Sequence, residues 1–133
     1  MSLKNVNTVL AAAGALFILY IGVSYVLTPE TSAPTFGLPD WPSGDGGGFL
    51  ILKGIRDIGS GLVLGVLLVT GQRRALGWVL LTMAVIPFGD MANVLAHHGS
   101  VAAAFGIHGL TSALVAVTGL LMLRETGKAG RPA

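Results

Sequence analysis

The 133-residue chain has no cysteine and few charged residues. Without cysteine there is no disulfide, no thiolate ligand for a metal and no thiol nucleophile. Charged residues make up 11% of the chain, less than half of the roughly 25% that is usual in soluble domains. The eight lysine and arginine residues are dispersed and not interleaved with aromatic residues. No nucleic-acid partner is therefore predicted.

Apolar residues are abundant and account for 53% of the chain. About 20 apolar residues suffice to cross a hydrocarbon core of roughly 30 Å. Four apolar runs reach this length and predict helices at about residues 8–27, 49–69, 75–96 and 101–123. The sequence thus predicts an all-α protein, an integral membrane four-helix bundle that forms one transmembrane domain over residues 1–133 in a lipid bilayer.

The segments between and after these runs set the expected topology. Residues 28–48 hold four of the six prolines and end in glycines, which predicts an outer loop without regular elements, either a lid or a plain spacer. Residues 125–133 are expected to form a disordered tail. Basic residues gather at both ends and in the turn at 71–74, whereas the other two connections have none. This pattern predicts a multi-pass protein of the cell membrane with both termini cytoplasmic.

The second apolar run carries Lys53, Arg56 and Asp57 in its first half. Each unpaired charge costs about 2.5–3.5 kcal/mol on insertion scales, so such residues usually face a bundle interior or a wet cavity. At helical spacing these three share one face with Ser60. A neighbouring face carries small residues that permit close packing within the chain or in a homodimer, namely Gly54, Gly61 and Gly65.

Polar residues from all four predicted helices are expected at a common depth. With a rise of 1.5 Å per residue, one set lies roughly 10–15 Å below the outer face. This set comprises Tyr20, Arg56, Asp57, Asp90 and His108. A second set is expected nearer the outer mouth and comprises Lys53, Asn93 and His97. The sequence therefore predicts a polar funnel that opens outward and is closed by apolar residues in the cytoplasmic half.

This set of residues has the composition of an acid–base site. We expect an enzyme or enzyme-like pocket that acts on a small lipophilic molecule by isomerisation, epoxide opening or hydrolysis. The candidate catalytic residues are Asp57, Asp90, Arg56 and His108. The candidate substrate-binding residues are Tyr20, Lys53, Asn93 and His97. The combination of Asp, Arg, Asp, Tyr and Asn is similar in residue types to the site of limonene-epoxide-hydrolase-type enzymes.

Other interpretations remain open. The charges are alternatively structural, with Arg56 paired to Asp90 and Lys53 to Asp57. A non-catalytic lipophile-binding protein, a small proton-coupled transporter that dimerises and a structural subunit of a membrane complex are further alternatives. A metal site would draw on His97, His98, His108 and Asp90. Their spacing matches no dense ligand motif and the adjacent cations oppose a metal ion, so neither a metal nor another cofactor is predicted.

Several short motifs connect the chain to a known group. They are Thr35-Phe36-Gly37-Leu38-Pro39 in the first loop, Lys53-Gly54-x-Arg56-Asp57 with Gly61, Asp90 after Pro87, and His108. In these features the chain resembles the DoxX-like group of small four-helix membrane proteins, and within it a family of unknown function. The resemblance implies four helices and a membrane location, and it carries no established activity.

Overall fold

A computed structural model of the chain describes residues 2–129, which are almost entirely helical. Five helices of eleven or more residues occur in this range: α1 Leu3–Leu27, α2 Gly48–Val69, α3 Arg73–Met83, α4 Val85–Ala96 and α5 Leu110–Ala129. The predicted all-helical class is confirmed.

Within the described residues, three helical stretches are long and apolar enough to span a membrane: Leu3–Leu27, Arg73–Ala96 and Val101–Gly127. Such helices indicate a membrane protein. Helix α2 has 22 residues but is not one of the three, because any 18-residue stretch of it includes Lys53, Arg56 and Asp57. The structure thus sets α2 apart from the other long helices by its charge.

The ends of the first and last helices differ from the predicted ones. Helix α1 begins at Leu3 and not near residue 8, because the Ser2 hydroxyl accepts a hydrogen bond from the Asn5 backbone N–H at 3.3 Å and caps the helix. At the other end of the chain, α5 continues to Ala129 where the sequence predicted a helix end near 123 and a disordered tail from 125. Residues 130–133 of that predicted tail lie outside the described residues.

The predicted third helix is two helices that meet at Ala84. Pro87 has no backbone N–H, so it cannot bond to the carbonyl one turn earlier, and its ring crowds that turn. The Ala84 carbonyl accepts the Phe88 N–H at a long 3.3 Å and also accepts the Ser112 hydroxyl at 2.9 Å. A side chain of α5 thus bonds to the backbone at the break.

The first loop is more regular than the sequence predicted. It contains a helical turn at Pro29–Ser32 and 3-10 helices at Ala33–Phe36 and Gly44–Gly47. The expectation of no regular element was wrong because a proline in the first turn of a helix has a suitable fixed φ and needs no N–H partner there. Gly37 has a φ of 97° and follows the second turn, and its carbonyl accepts the Ser100 N–H at 2.8 Å. This bond ties the loop to the connection after α4.

The helices pack mainly as two pairs, α1 with α2 and α3 with α5. A Cβ atom built on Gly22 of α1 would lie 2.7 Å from the Gly54 carbonyl oxygen of α2. In the second pair, a Cβ atom on Gly119 would lie 2.9 Å from the Gly77 carbonyl oxygen. Both distances are below any ordinary contact, so each pair depends on glycine for its close approach.

The two pairs join near the N-terminal end of α1. An apolar cluster fills the space between them there and consists of Ala11, Ala15, Leu64, Leu76, Leu80 and Met122. Beside it, Arg73 of α3 donates two hydrogen bonds to the Glu125 carboxylate of α5, at 2.7 and 2.9 Å. Asn7 of α1 donates to the same carboxylate at 2.7 Å. Beyond this end the pairs enclose a cavity.

Candidate functional site

The cavity between the two helix pairs has a volume of about 450 Å³, within the roughly 300–1,000 Å³ of small-molecule sites. Its lining differs from one end to the other. The end near the first loop, called the polar end below, is lined by Tyr25, Thr35, Phe36, Lys53, Asp57, Asp90 and His108. The remainder, called the apolar body, is lined largely by aliphatic and aromatic side chains that include Leu10, Phe17, Leu64, Leu80, Ile86 and Leu114.

Lys53 and Asp57 form an ion pair one turn apart on α2, with 2.5 Å between Nζ and Oδ2. Asp57 is buried, and 29% of the Lys53 side chain is exposed. The same ammonium lies 4.4 Å from the Tyr25 ring centroid and 5.6 Å from that of Phe36. Both distances allow cation–π attraction. The lysine charge is thus already balanced by a carboxylate and two ring faces.

His108 is buried and is held by the first loop. Its Nε2 lies 2.7 Å from the Phe36 carbonyl oxygen, and the two rings pack with centroids 4.5 Å apart at 52°. A carbonyl oxygen only accepts, so Nε2 carries the hydrogen. In the neutral ring, Nδ1 is then the acceptor. The loop backbone therefore selects the imidazole tautomer.

The Nδ1 atom of His108 faces Asp90, with 3.9 Å between Nδ1 and Oδ2. A neutral imidazole with its hydrogen on Nε2 presents a lone pair toward the carboxylate, so two acceptors face one another. Inside a largely apolar cavity this arrangement favours either a proton on one of the two groups or a hydrogen-bond donor between them. The Asp90–His108 pair therefore has room for a hydrogen-bond donor between its two facing atoms.

Irregular helix geometry gives these two side chains their positions. His108 lies in a π-helical segment, Ala104–Gly109, which leads into α5. Single π turns widen a helix locally and occur often at functional sites. Asp90 follows Pro87 on α4, just beyond the break at Ala84, and both Pro87 and Asp90 line the cavity. Both members of the pair therefore come from distorted stretches of otherwise regular helices.

The structure brings together four of the eight residues singled out from the sequence, namely Lys53, Asp57, Asp90 and His108. The other four side chains are exposed and lie outside the cavity: Tyr20, Arg56, Asn93 and His97. The common polar layer expected from depth is thus wrong for Tyr20 and Arg56, and the expected outer mouth does not contain Asn93 or His97. His97 instead lies with Nδ1 2.9 Å from the Asn93 carbonyl oxygen.

Helical phase explains why Arg56 departs from its neighbours. At about 100° per residue, Arg56 is displaced by about 40° from Ser60, by about 60° from Lys53 and by about 100° from Asp57, which puts it at the edge of their face. Lys53, Asp57 and Ser60 stay within about 60° of one another and line the cavity. Arg56 therefore lies on the outside of α2, and the expected ion pair of Arg56 with Asp90 is replaced by the contact of Asp90 with His108.

Three residues of the polar end were missed by sequence reasoning: Tyr25, Thr35 and Phe36. Tyr25 is buried and follows Ile18 and Ile21 by seven and four residues, on the face of α1 that lines the cavity. Tyr20 is five residues away, a rotation of about 140°, so the two rings lie on different faces of α1 and the fold decides which face lines the cavity. Phe36 belongs to the Thr-Phe-Gly-Leu-Pro motif, but its contact with His108 spans 72 residues and could not be predicted from spacing.

The three histidines lie in two different places in the described part of the chain. Among residues 2–127, whose side chains the structure describes, no three His, Asp or Glu side chains are grouped so that they could hold a metal ion. His97 and His98 are exposed at the end of α4, whereas His108 is buried in the cavity wall.

Fold and site together define an all-helical protein of the membrane type, with long apolar helices around a cavity that is polar at one end. Comparison with protein families matches residues 15–122 to DUF4267, a domain of unknown function. The chain belongs to this family. Comparison with curated proteins and with solved structures finds no significant match.

Proposed function

We propose that this protein is a membrane-embedded enzyme that transfers protons to and from a small lipophilic molecule in its cavity. The observation that carries the proposal is the Asp90–His108 pair, with 3.9 Å between Nδ1 and Oδ2, at the polar end of a largely apolar cavity of about 450 Å³. An apolar cavity with a few convergent polar groups is the usual form of a site for a small molecule.

In the proposed topology α2 is a fourth membrane crossing, and both termini are cytoplasmic. Its 22 residues extend over about 33 Å at 1.5 Å per residue, enough for the hydrocarbon core. Two of its three charges neutralise each other in the Lys53–Asp57 pair, and the long Arg56 side chain can extend toward the interface. The DoxX-like resemblance, with its four helices, supports the same arrangement.

The proposed chemistry gives different roles to the two carboxylates. Asp57 is the counter-ion of Lys53 and keeps the polar end assembled, whereas Asp90 and His108 share one proton and act as acid and base. In an isomerisation, the pair removes a proton from one substrate atom and returns it to another, so no further reactant is needed. In hydrolysis or epoxide opening, water adds to the substrate and the pair relays its proton. Positioned acid–base groups contribute typically about 10²–10⁴-fold to a rate.

The test uses the purified protein, total membrane lipid extract as the probe and deuterated water as the solvent. Mass spectrometry follows new products and deuterium uptake for the wild type, Asp90→Asn and a control, Asp40→Asn. Asp40 is an exposed loop carboxylate outside the cavity. We expect lipid species that the wild type and the control convert equally and that Asp90→Asn converts about 10²–10⁴-fold more slowly. Identical profiles for the wild type and a folded Asp90→Asn variant contradict the proposal.

A second candidate is a non-catalytic lipophile-binding protein. It is favoured by the charge balance of the polar end, where Lys53 already contacts a carboxylate and two aromatic rings. A balanced site of this kind binds without activating a nucleophile. Its distinguishing result is a lipophile that is retained through purification and released unchanged in the deuterium experiment.

Assembly is a separate part of the proposal. Gly61 packs within the chain, because a Cβ atom built there would lie 2.5 Å from Leu19 Cγ of α1. A Cβ atom on Gly65 would meet nothing within 4 Å. If a homodimer forms through the small residues of α2, Gly65 is where a second copy can approach.

A further inference from the structure

We infer that the cavity takes a single-chain lipid whose head group is an uncharged or cationic hydrogen-bond donor, a hydroxyl or an amine, bound between Asp90 and His108. This inference rests on the proposed function and specifies its substrate class. It excludes fatty acids and other lipids with an anionic head as the preferred occupants.

The first argument is the charge of the polar end. Among the described residues that line the cavity, Lys53 is the one lysine or arginine. Its ammonium is 2.5 Å from the Asp57 carboxylate and lies over the rings of Tyr25 and Phe36. An anionic head would have to compete with Asp57 for this cation and would also face the Asp90 carboxylate. Like charges at such a site oppose binding, so the polar end selects against anions.

The second argument is the hydrogen-bonding pattern of the Asp90–His108 pair. The Phe36 carbonyl holds the hydrogen of His108 on Nε2, so in the neutral ring Nδ1 and the carboxylate are both acceptors, 3.9 Å apart. An amine has enough hydrogens to donate to both atoms. A hydroxyl donates to Asp90 and accepts from Nδ1 when the pair already holds a proton. Each head donates to the Asp90 carboxylate, and the amine also supplies the donor that Nδ1 lacks in the neutral ring.

The third argument concerns the rest of the ligand. The cavity extends along α1 from Leu10 to Tyr25, which is about 22 Å at 1.5 Å per residue. Several apolar side chains line it and are also exposed, among them Phe17 of α1, Ile86 of α4 and Leu110 of α5. The apolar body thus reaches the outer surface between α1 and the helices α4 and α5. An alkyl chain placed there stays in contact with apolar groups along its length.

A substitution at Gly14 can block the space for the alkyl chain in the apolar body without altering the polar end. It lines the cavity, and a Cβ atom built on it meets no atom within 4 Å. A leucine at this position extends into the apolar body and replaces glycine with a stronger helix former. Gly14→Leu therefore removes tail space while Asp90 and His108 keep their surroundings.

The experiment measures equilibrium binding of three probes with the same alkyl chain, dodecylamine, dodecanol and dodecanoate. Each probe is titrated into nanodiscs that contain the wild type, Asp90→Asn or Gly14→Leu. Since every probe also partitions into the bilayer, the Gly14→Leu discs supply the background for each one. We expect the wild type to bind the amine, the alcohol or both at least tenfold more tightly than dodecanoate. Asp90→Asn should reduce that preference at least tenfold and still bind the chain.

The outcomes separate the inference from the proposed function. Preference for the amine alone supports the pair as two acceptors, and preference for the alcohol supports a pair that holds its own proton. Dodecanoate bound as tightly as the other probes overturns the donor-head inference and leaves the proposed lipophile site intact. If no probe binds the wild type above the Gly14→Leu background, the single-chain lipid inference fails, and the proposed enzyme is judged separately by conversion of the lipid extract.

Discussion

The ion pair between Lys53 and Asp57 leads to a quantitative prediction about stability. If Asp57 serves as the counter-ion of Lys53, removing either charge should destabilise the fold and removing both should restore most of the loss. The variants are Lys53→Met, Asp57→Asn and the double variant. Asp40→Asn makes the same chemical change on an exposed loop carboxylate and is the matched control.

The expected magnitudes follow from burial. Lys53→Met leaves the Asp57 carboxylate without its counter-ion, and only 13% of the Asp57 side chain is exposed. We expect this variant to lose about 3 kcal/mol of unfolding free energy, which is the lower part of the range for broken buried pairs. Asp57→Asn leaves the Lys53 ammonium without its carboxylate, but the Lys53 side chain is 29% exposed and keeps its two ring contacts. We therefore expect this variant to lose about 1–2 kcal/mol of unfolding free energy. The double variant leaves no unpaired charge and should lose about 1 kcal/mol.

The assay is the free energy of unfolding, measured by denaturant titration in detergent micelles with helicity as the signal. A double-mutant cycle over the four forms should give a coupling energy of about 3–4 kcal/mol. The control should stay within about 0.5 kcal/mol of the wild type. A coupling energy near zero, or an equal loss for Asp57→Asn and Asp40→Asn, would refute the structural role of the pair.

Four further substitutions test helix packing and use the same unfolding measurement. Gly54→Ala should cost about 1–3 kcal/mol because its Cβ atom would lie 2.6 Å from a carbonyl oxygen of α1. The Cβ atom of Gly65→Ala would have no atom within 4 Å, so this variant should gain about 0.5–1 kcal/mol from helix propensity. Equal changes in stability for Gly54→Ala and Gly65→Ala would contradict the close packing of α1 on α2 at Gly54. Glu125→Gln should cost about 1–3 kcal/mol by weakening the paired bonds from Arg73, and no loss would argue against that contact. Ser112→Ala should cost about 0.5–1.5 kcal/mol because it loses the hydrogen bond to the Ala84 carbonyl at the helix break. An unchanged denaturation midpoint would contradict this prediction.

The sequence predicted the helical class because it depends on local properties. Apolar runs of membrane length are visible in any window of the chain, and prolines mark where helices stop or bend. The apolar pattern did not predict finer features of the helix ends and of the first loop. The cap at Ser2 and the turns at Pro29 and Pro34 are short-range, but they lie outside the apolar pattern on which the helix boundaries were based.

The candidate site was only partly predictable. The depth of a residue depends on the rise of its helix and not on the rotation of that helix. Tyr20 and Arg56 were therefore grouped with Asp57, although the side chains of Tyr20 and Arg56 are exposed and lie outside the cavity. Tyr25 lies on the face of α1 that lines the cavity, and the packing of the helices decides which face that is.

By itself the sequence determined that this chain forms long apolar helices and that ionisable residues lie within them, since composition and spacing are properties of the linear chain. Only the tertiary structure decided which of those residues share a cavity. That choice depends on the rotation of each helix, on glycine contacts that bring the helices together in pairs, and on a first loop whose Phe36 carbonyl reaches His108 across 72 residues. Contacts between residues so far apart in the chain have no local signal, because they arise only when the whole fold has formed.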